Sequence, residues 1–273
     1  MPENLSQASG KLRLMAAIIE LSNAEWALVE HIFDPHGRRG RPALYSRREI
    51  VDAILFLART GCQWRYLPAN YPRWEAVWQQ WRRWRENGVW ERAMKLLVVE
   101  IRSRHTRNAD PSMVMIDGQT VRGGRAGPTF HNAGGRGGRT IGAKRTIVIE
   151  ILGLPLAVRV DPAKPHDVKV GRQLLAERLP TLPRVQAIVA DRGYQGLAKL
   201  AAKSNVKLDI KRPPKGAGFV PLAPLYRVEH AFARLGRWRR LSRCYEGTEA
   251  SAKAWLEVAC LAYLFARLRA EPT

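Results

Sequence analysis

A mixed α/β sheet preceded by a small all-α region is the fold class predicted by this 273-residue sequence. Three observations carry the prediction. Up to about residue 108, apolar residues recur at helical spacing. Near residue 110 the pattern switches to short β-branched runs. Three such runs come first, then strands alternate with helices, giving the order β-β-β-α-β-α-β-α-α expected of a mixed five-stranded sheet. A hydrophobic share of 46% leaves enough apolar side chains for a sizeable core.

The helical half is delimited by its caps. Residues 1–21 read as a loosely attached arm, and 22–108 as the helical domain. Ser22 with Glu25, and Ser46 with Glu49, have the spacing of capping boxes. They predict helices over SNAEWALVEHIF and REIVDAILFLART, the second stopped by Gly61. HGRRGRPAL between them is Gly-, Arg- and Pro-rich. It reads either as a solvated linker or as a basic arm touching phosphates, through Arg38, Arg39 and Arg41. In RWEAVWQQWRRWRENGVW, Trp74, Trp78 and Trp81 fall on one helical face and predict core packing. Arg82, Arg83 and Arg85 fall on other faces and could dock on a polyanion. WERAMKLLVVEIRSRH closes the helical domain, in which a helix-turn-helix-like reader is compatible with the pattern. No helix stands out as its recognition element.

The second half, residues 109–273, begins with the strand PSMVMIDGQTV. A Gly/Arg segment follows, too polar to pack, with Arg136 and Arg139; Lys144 and Arg145 come just after it. TIVIEILG and LPLAVRVD predict a hairpin. Asp167 is expected to cap the helix VKVGRQLLAERL. RVQAIVAD and VKLDIKRP supply the last strands, separated by a short helix. Two final helices include PLYRVEHAFARLGRWRRL, which carries Arg234, Arg237, Arg239 and Arg240.

Lys and Arg outnumber Asp and Glu by 46 to 24, a formal charge of +22. Such an imbalance points to a polyanionic partner, with nucleic acid ahead of a membrane surface. No stretch approaches the ~18 apolar residues of a membrane span, and no secretory leader is evident. Three scattered cysteines without paired spacing argue against a disulfide framework or a zinc site. A reducing cytoplasm is the expected location.

Three acids stand out. Asp117 lies in the first strand, Asp191 at the end of the fourth, and Glu229 on the Arg-rich helix. Taken singly, a strand-end Asp is a turn former and a helical Glu a solvated acid. Together, on neighbouring strands crossed by a helix, they can converge. Hard oxygen donors without His or Cys suit Mg²⁺ or Mn²⁺. Two such ions about 4 Å apart can clamp an in-line phosphoryl displacement. Glu150, inside a strand, is a competing acid that the polar face of an edge strand would explain. Asp161 and Asp167 have ready structural roles. Leu225, Val228, Phe232 and Leu235 mark the buried stripe beside Glu229, and helical spacing puts Arg240 near the azimuth of Glu229.

From residue 22 onward the chain resembles bacterial insertion-sequence transposases of the insertion-sequence-five family, within the broad DDE transposase group. The likeness rests on long ordered motifs: GRRGRPALYSRREIVDAILFLARTGCQWRYLP, MIDGQTVRGG, HNAGGRGGRTIGAKRTIVIEILGLPLAVRV, PHDV, VADRGYQG and VEHAFARLGRWRRLSRCYE. It implies a ribonuclease-H-like catalytic domain with adjacent first and fourth strands. It implies that Asp117, Asp191 and Glu229 are the catalytic, Mg²⁺-binding triad, with Mn²⁺ able to substitute. The implied activity is cleavage at the terminal inverted repeats of a mobile element and joining of 3′-hydroxyl ends to target DNA. The implied partners are double-stranded transposon ends, target DNA, and a second copy of the chain, in the bacterial nucleoid. The basic residue that relatives carry seven positions after the glutamate is replaced here by Gly236. The short interval from Asp191 to Glu229 excludes a large insertion domain. Two other readings remain open: a domesticated, non-catalytic DNA-binding regulator, and a nuclease that hydrolyses without joining.

Overall fold

The computed structural model describes residues 20–34, 43–124, 130, 141–212 and 222–270. Residues 1–19 of the expected arm (1–21) and Arg38, Arg39, Arg41, Arg136 and Arg139 lie outside them; the end of the arm that is described is packed, with Leu21 buried and its N–H bonded to Asp52 at 2.9 Å.

Both capping boxes form. Ser22 opens α1 (Asn23–Phe33) and Ser46 opens α2 (Arg47–Thr60), each reciprocally bonded to the glutamate three residues on. Each satisfies two backbone donors that a helix start leaves unpaired. Gly61 ends α2 at φ +69°, and a Cβ there would sit 3.0 Å from the Cβ of Arg239. Glycine alone suits both the left-handed backbone and that close approach. α3 (Trp74–Glu86) and α4 (Val89–Arg104) complete the helical half.

Of the expected tryptophan face, only Trp81 is fully buried; Trp74 and Trp78 are half-buried. Arg65 covers Trp74 at 5.8 Å and Arg82 covers Trp78 at 4.9 Å. Trp84 and Trp90 fill the core instead, both edge-on to Phe33.

The five-stranded sheet has the order β3-β2-β1-β4-β5. β1 (Met113–Arg122), β2 (Gly142–Glu150) and β3 (Pro155–Pro162) run antiparallel. β4 (Ala187–Ala190) and β5 (Lys207–Ile210) run parallel to β1. This is the mixed five-stranded, ribonuclease-H-like order, with β1 beside β4. α5 (Asp167–Arg178) and α6 (Ala198–Lys203) pack on the face that presents Val114, Ile116 and Ile188. The opposite face, with Met115, Ile147 and Val189, packs against α7 (Tyr226–Leu235), α8 (Glu249–Ala270) and α4, through which its core is continuous with that of the other N-terminal helices.

The expected border at residue 108 marks a change of element type, yet the core crosses it. Trp255 of α8 stacks on Trp81 of α3 at 5.2 Å and lies 5.6 Å from Trp64. Glu150 is not on an edge strand, since β2 is paired on both sides. Its carboxylate accepts from Arg102 on α4 and from the N–H groups of Leu152 (2.7 Å) and Leu154 (3.1 Å). That structural pairing removes it from the candidate acids.

Candidate active site

The strand pairing determines where the acids sit. β1 pairs with β4 only as far as Met115↔Val189. Asp117 lies two residues past that point, on the open edge of β1, with its side chain on the face of Met115. Asp191 follows β4 directly, and strand alternation gives it the same face. Glu229 is in the first turn of α7, which packs on that face through Val228, Ala231, Phe232 and Leu235. The expected apolar stripe beside Glu229 is therefore buried, and Glu229 itself is exposed.

Each strand acid has a backbone partner. Asp117 accepts from the N–H of Gly118 at 2.7 Å, and Asp191 from that of Gly193 at 2.9 Å. Burial pushes the Asp117 carboxyl up to about 6, and the negative charges of Asp191, Asp167 and Glu229 add to the shift. Burial, followed by Asp167, also raises Asp191 against the pull of its N–H donors. The site thus holds several carboxylates with too little positive charge among them. Among the described residues, no three His, Cys, Asp or Glu side chains stand close enough to grip an ion as they are. The donor chemistry nevertheless fits a hard divalent cation, which would relieve the repulsion felt by Asp117.

Asp167 is the acid that sequence reasoning assigned elsewhere. It does not cap α5: His166 holds the cap position and Asp167 is the first helical residue. Its Oδ1 forms an ion pair with Lys144 Nζ at 2.7 Å. The signal available was the PHDV turn, where a polar residue at the helix start has an ordinary structural explanation. Tyr194 was also missed. Buried in VADRGYQG, its phenol titrates above the ordinary tyrosine range, first through burial and then through Asp117, Asp167 and Asp191.

The basic candidates divide. Arg82 and Arg83 are exposed on α3, and Arg85 is half-buried over the Trp81 ring at 5.3 Å. Lys144 and Arg145 are not surface groups, contrary to the expectation that they contact DNA. Lys144 is taken by Asp167 and the Pro165 carbonyl. Arg145 donates to the carbonyls of Leu241 (2.6 Å) and Arg243 (3.3 Å), and burial pulls its guanidinium down to about 10. Arg240 does not share the face of Glu229, because α7 ends at Leu235 and a separate 3-10 turn holds Arg239–Leu241. Arg240 stacks over Trp255 at 4.6 Å and bonds Glu246 at 2.8 Å.

Arg234 and Arg237 instead line a cavity of about 610 Å³ with Arg59, Trp238, Tyr263 and Arg267. Arg59 lies 5.5 Å from the Trp238 ring centroid and Arg234 5.5 Å from that of Tyr263. Among the described residues, no carboxylate side chain lines this cavity. At about 100° per residue, Arg234 is on the opposite flank of α7 from Glu229.

The sheet order, the crossing helix and the acid-bearing edge of β1 define a ribonuclease-H-like domain joined to a helical region. Residues 21–94 match the family described as "Putative transposase of IS4/5 family", and residues 108–216 match the "Transposase DDE domain". An "Insertion element IS402 uncharacterized 16.2 kDa protein" from Burkholderia cepacia is 33% identical over 109 residues, 37% of this chain and 72% of the relative. "Uncharacterized protein y4sN" from Sinorhizobium fredii (strain NBRC 101917 / NGR234) is 33% identical over 123 residues, 44% of this chain and 87% of the relative. The solved "Mos1 transposase paired-end complex with left transposon end" is similar at 16% identity and TM-score 0.31, covering 82% of this chain and 73% of that one. The chain belongs to the IS4/5 family of insertion-sequence transposases and carries a transposase DDE domain. Among the described residues, no helix is long and apolar enough to cross a membrane.

Proposed function

We propose that this transposase binds the terminal inverted repeats of its insertion sequence, cleaves DNA at the element ends and joins the 3′-hydroxyl ends to target DNA. The observation that carries the reading is the common face of Asp117 and Asp191 on adjacent parallel strands, with the helix that bears Glu229 packed on that face over β1 and β2. Asp117, Asp191 and Glu229 are the residues that would hold Mg²⁺ or Mn²⁺. When bound, such ions supply Lewis-acid activation of a scissile phosphate and of the attacking hydroxyl or water.

The chain's own residues do the rest. Asp117 is fixed by the Gly118 N–H and Asp191 by the Gly193 N–H, so both carboxylates are pre-set on the strand edge. Glu229, exposed on α7 beside the buried stripe, would supply the third carboxylate. Arg82 and Arg83 on α3, and Arg234 and Arg237 beyond Glu229, are the described basic groups that would position the phosphate backbone. Two element ends must be held together for transposition, so an active dimer or larger assembly is part of the proposal.

The test is cleavage of a plasmid carrying the element ends, with Mg²⁺, by the wild type and Asp117→Asn. Loss of cleavage with retained DNA binding supports the reading, and unchanged cleavage sinks the acid assignment. Binding without nicking by the wild type would favour a regulator. Hydrolysis without strand transfer from pre-cut ends would favour a nuclease.

A further inference from the structure

Gly118 is the point where a fourth acid reaches the site. Its missing side chain faces away from Asp117, toward α5. A Cβ built there would lie 3.2 Å from the hydroxyl of Tyr194, 3.3 Å from Oδ1 of Asp167 and 3.6 Å from the hydroxyl of Thr146. Three polar groups therefore converge on one glycine of β1, next to Asp117. Tyr194 is 1% exposed and Thr146 is fully buried, and among the described residues neither hydroxyl has a hydrogen-bond partner. Buried hydroxyls ordinarily find partners, so a pair of orphans aimed at an acid cluster marks a place built for a polar ligand shell. β1 has no β4 partner beyond Met115, so its edge beside Gly118 is open to groups from both faces of the sheet.

The charge at this point is equally specific. Lys144 is 5% exposed, on the interior strand β2, and its ammonium lies 2.7 Å from Asp167 Oδ1. A buried lysine is costly unless paired. Here its partner is an acid whose field reaches Asp117 and Asp191. An ammonium at the margin of a carboxylate cluster supplies the kind of charge that a divalent ion would supply at its centre.

We propose that Asp167 is a fourth acid of the cation site, bound directly or through an ordered water, and that Lys144 is its counter-charge in the cation-free protein. The inference rests on the reading that Asp117, Asp191 and Glu229 hold the metal. Tyr194 and Thr146 then place hydroxyls beside Asp167 on the α5 face, and Gly118, lacking a Cβ, leaves the space in which the three groups meet. Asp167 is thus a positioning residue for the cation, and the competition between Lys144 and the cation sets the affinity.

Mn²⁺ titration of the full-length protein, followed by the electron-paramagnetic signal of the free ion, reads this directly, with no substrate or turnover. Asp167→Asn should weaken Mn²⁺ binding by about tenfold or more, the range seen when an outer-shell partner is removed. Lys144→Gln, which can still donate to the Pro165 carbonyl, should tighten it. Thermal melts without metal report whether each variant folds; a variant that does not fold is replaced by Asp167→Ser or Lys144→Met. A purely structural Lys144–Asp167 pair predicts lowered melting temperatures and unchanged Mn²⁺ affinity in both, which overturns the inference. Weaker binding by Lys144→Gln overturns the counter-charge role. If Asp117→Asn loses Mn²⁺ and Asp167→Asn keeps it, this inference fails while the triad stands. If the wild type binds no Mn²⁺, both fail.

Discussion

Arg102 and Glu150 meet inside the protein, the guanidinium coming from the last turn of α4 and the carboxylate from the end of β2. Their side chains are 5% and 0% exposed. Arg102 also donates to the Asn108 carbonyl at 2.7 Å, so one side chain ties the helical half, the connection and the sheet. Removing one member of a buried pair strands the other charge, at about 3–5 kcal/mol. Glu150→Gln should therefore destabilise the whole protein by that amount in urea denaturation. A change below about 1 kcal/mol would mean that water reaches Arg102.

Asp52 on α2 carries a different electrostatic signature. Burial raises its carboxyl to about 6 from the ordinary 3.8, with Glu20 and Glu25 adding to the shift and the Leu21 N–H and Arg48 opposing it. The folded state thus holds this proton more tightly than the unfolded chain. Its favourable contribution is full below about pH 4 and disappears as pH rises through about 6. Asp52→Asn keeps an acceptor for the Leu21 N–H and removes the buried charge. It should gain on the order of 2–3 kcal/mol at pH 7 and nothing at pH 4. Melting curves of both proteins across that range check it, and a pH-independent difference would refute it.

Arg234 and Arg237 line a cavity in which no carboxylate side chain stands among the described residues, so their charge is available to phosphates. Replacing both with alanine should weaken DNA binding for every sequence tested. The slope of log K against log salt should fall by about two, near one per lost phosphate contact. An unchanged slope would place DNA elsewhere. Lys144 and Arg145, buried in the sheet, should not contribute to that slope.

Trp255 contacts Trp64, Trp81 and Arg240 at the seam between the halves. Trp255→Ala should cost about 3–5 kcal/mol. The melt should stay a single transition, because the cavity opens in a core common to both halves. Two resolved transitions, with the sheet outlasting the helices, would be inconsistent with that core.

Much of this arrangement was legible in the sequence because it follows from local rules. Ser22, Ser46 and Gly61 mark helix ends through their own backbone chemistry. The succession of strands and helices along the chain follows from the switch of period near residue 110, and the burial of Val228, Phe232 and Leu235 from their spacing, whereas the adjacency of β1 and β4 was implied only by the family resemblance. What escaped depends on tertiary contacts. Glu150 is explained by Arg102, 48 positions away. Asp167 looks like a helix cap until β1 and Lys144 are beside it. Arg240 was assigned to the face of Glu229 by continuing a helix that ends at Leu235. The identity of basic residues likewise says nothing about burial, so Lys144 and Arg145 resembled the surface arginines around them.

The tryptophan seam also limits which segments of this chain could be swapped for those of a relative. A hybrid that joined residues 20–108 of one relative to the sheet of another would bring together Trp64, Trp81 and a foreign last helix that never fitted them. The helical half of this chain thus depends on α8 for its packing, though most of the chain lies between them. A working graft would have to move α8 together with the four N-terminal helices, two segments far apart in sequence and joined only in the fold.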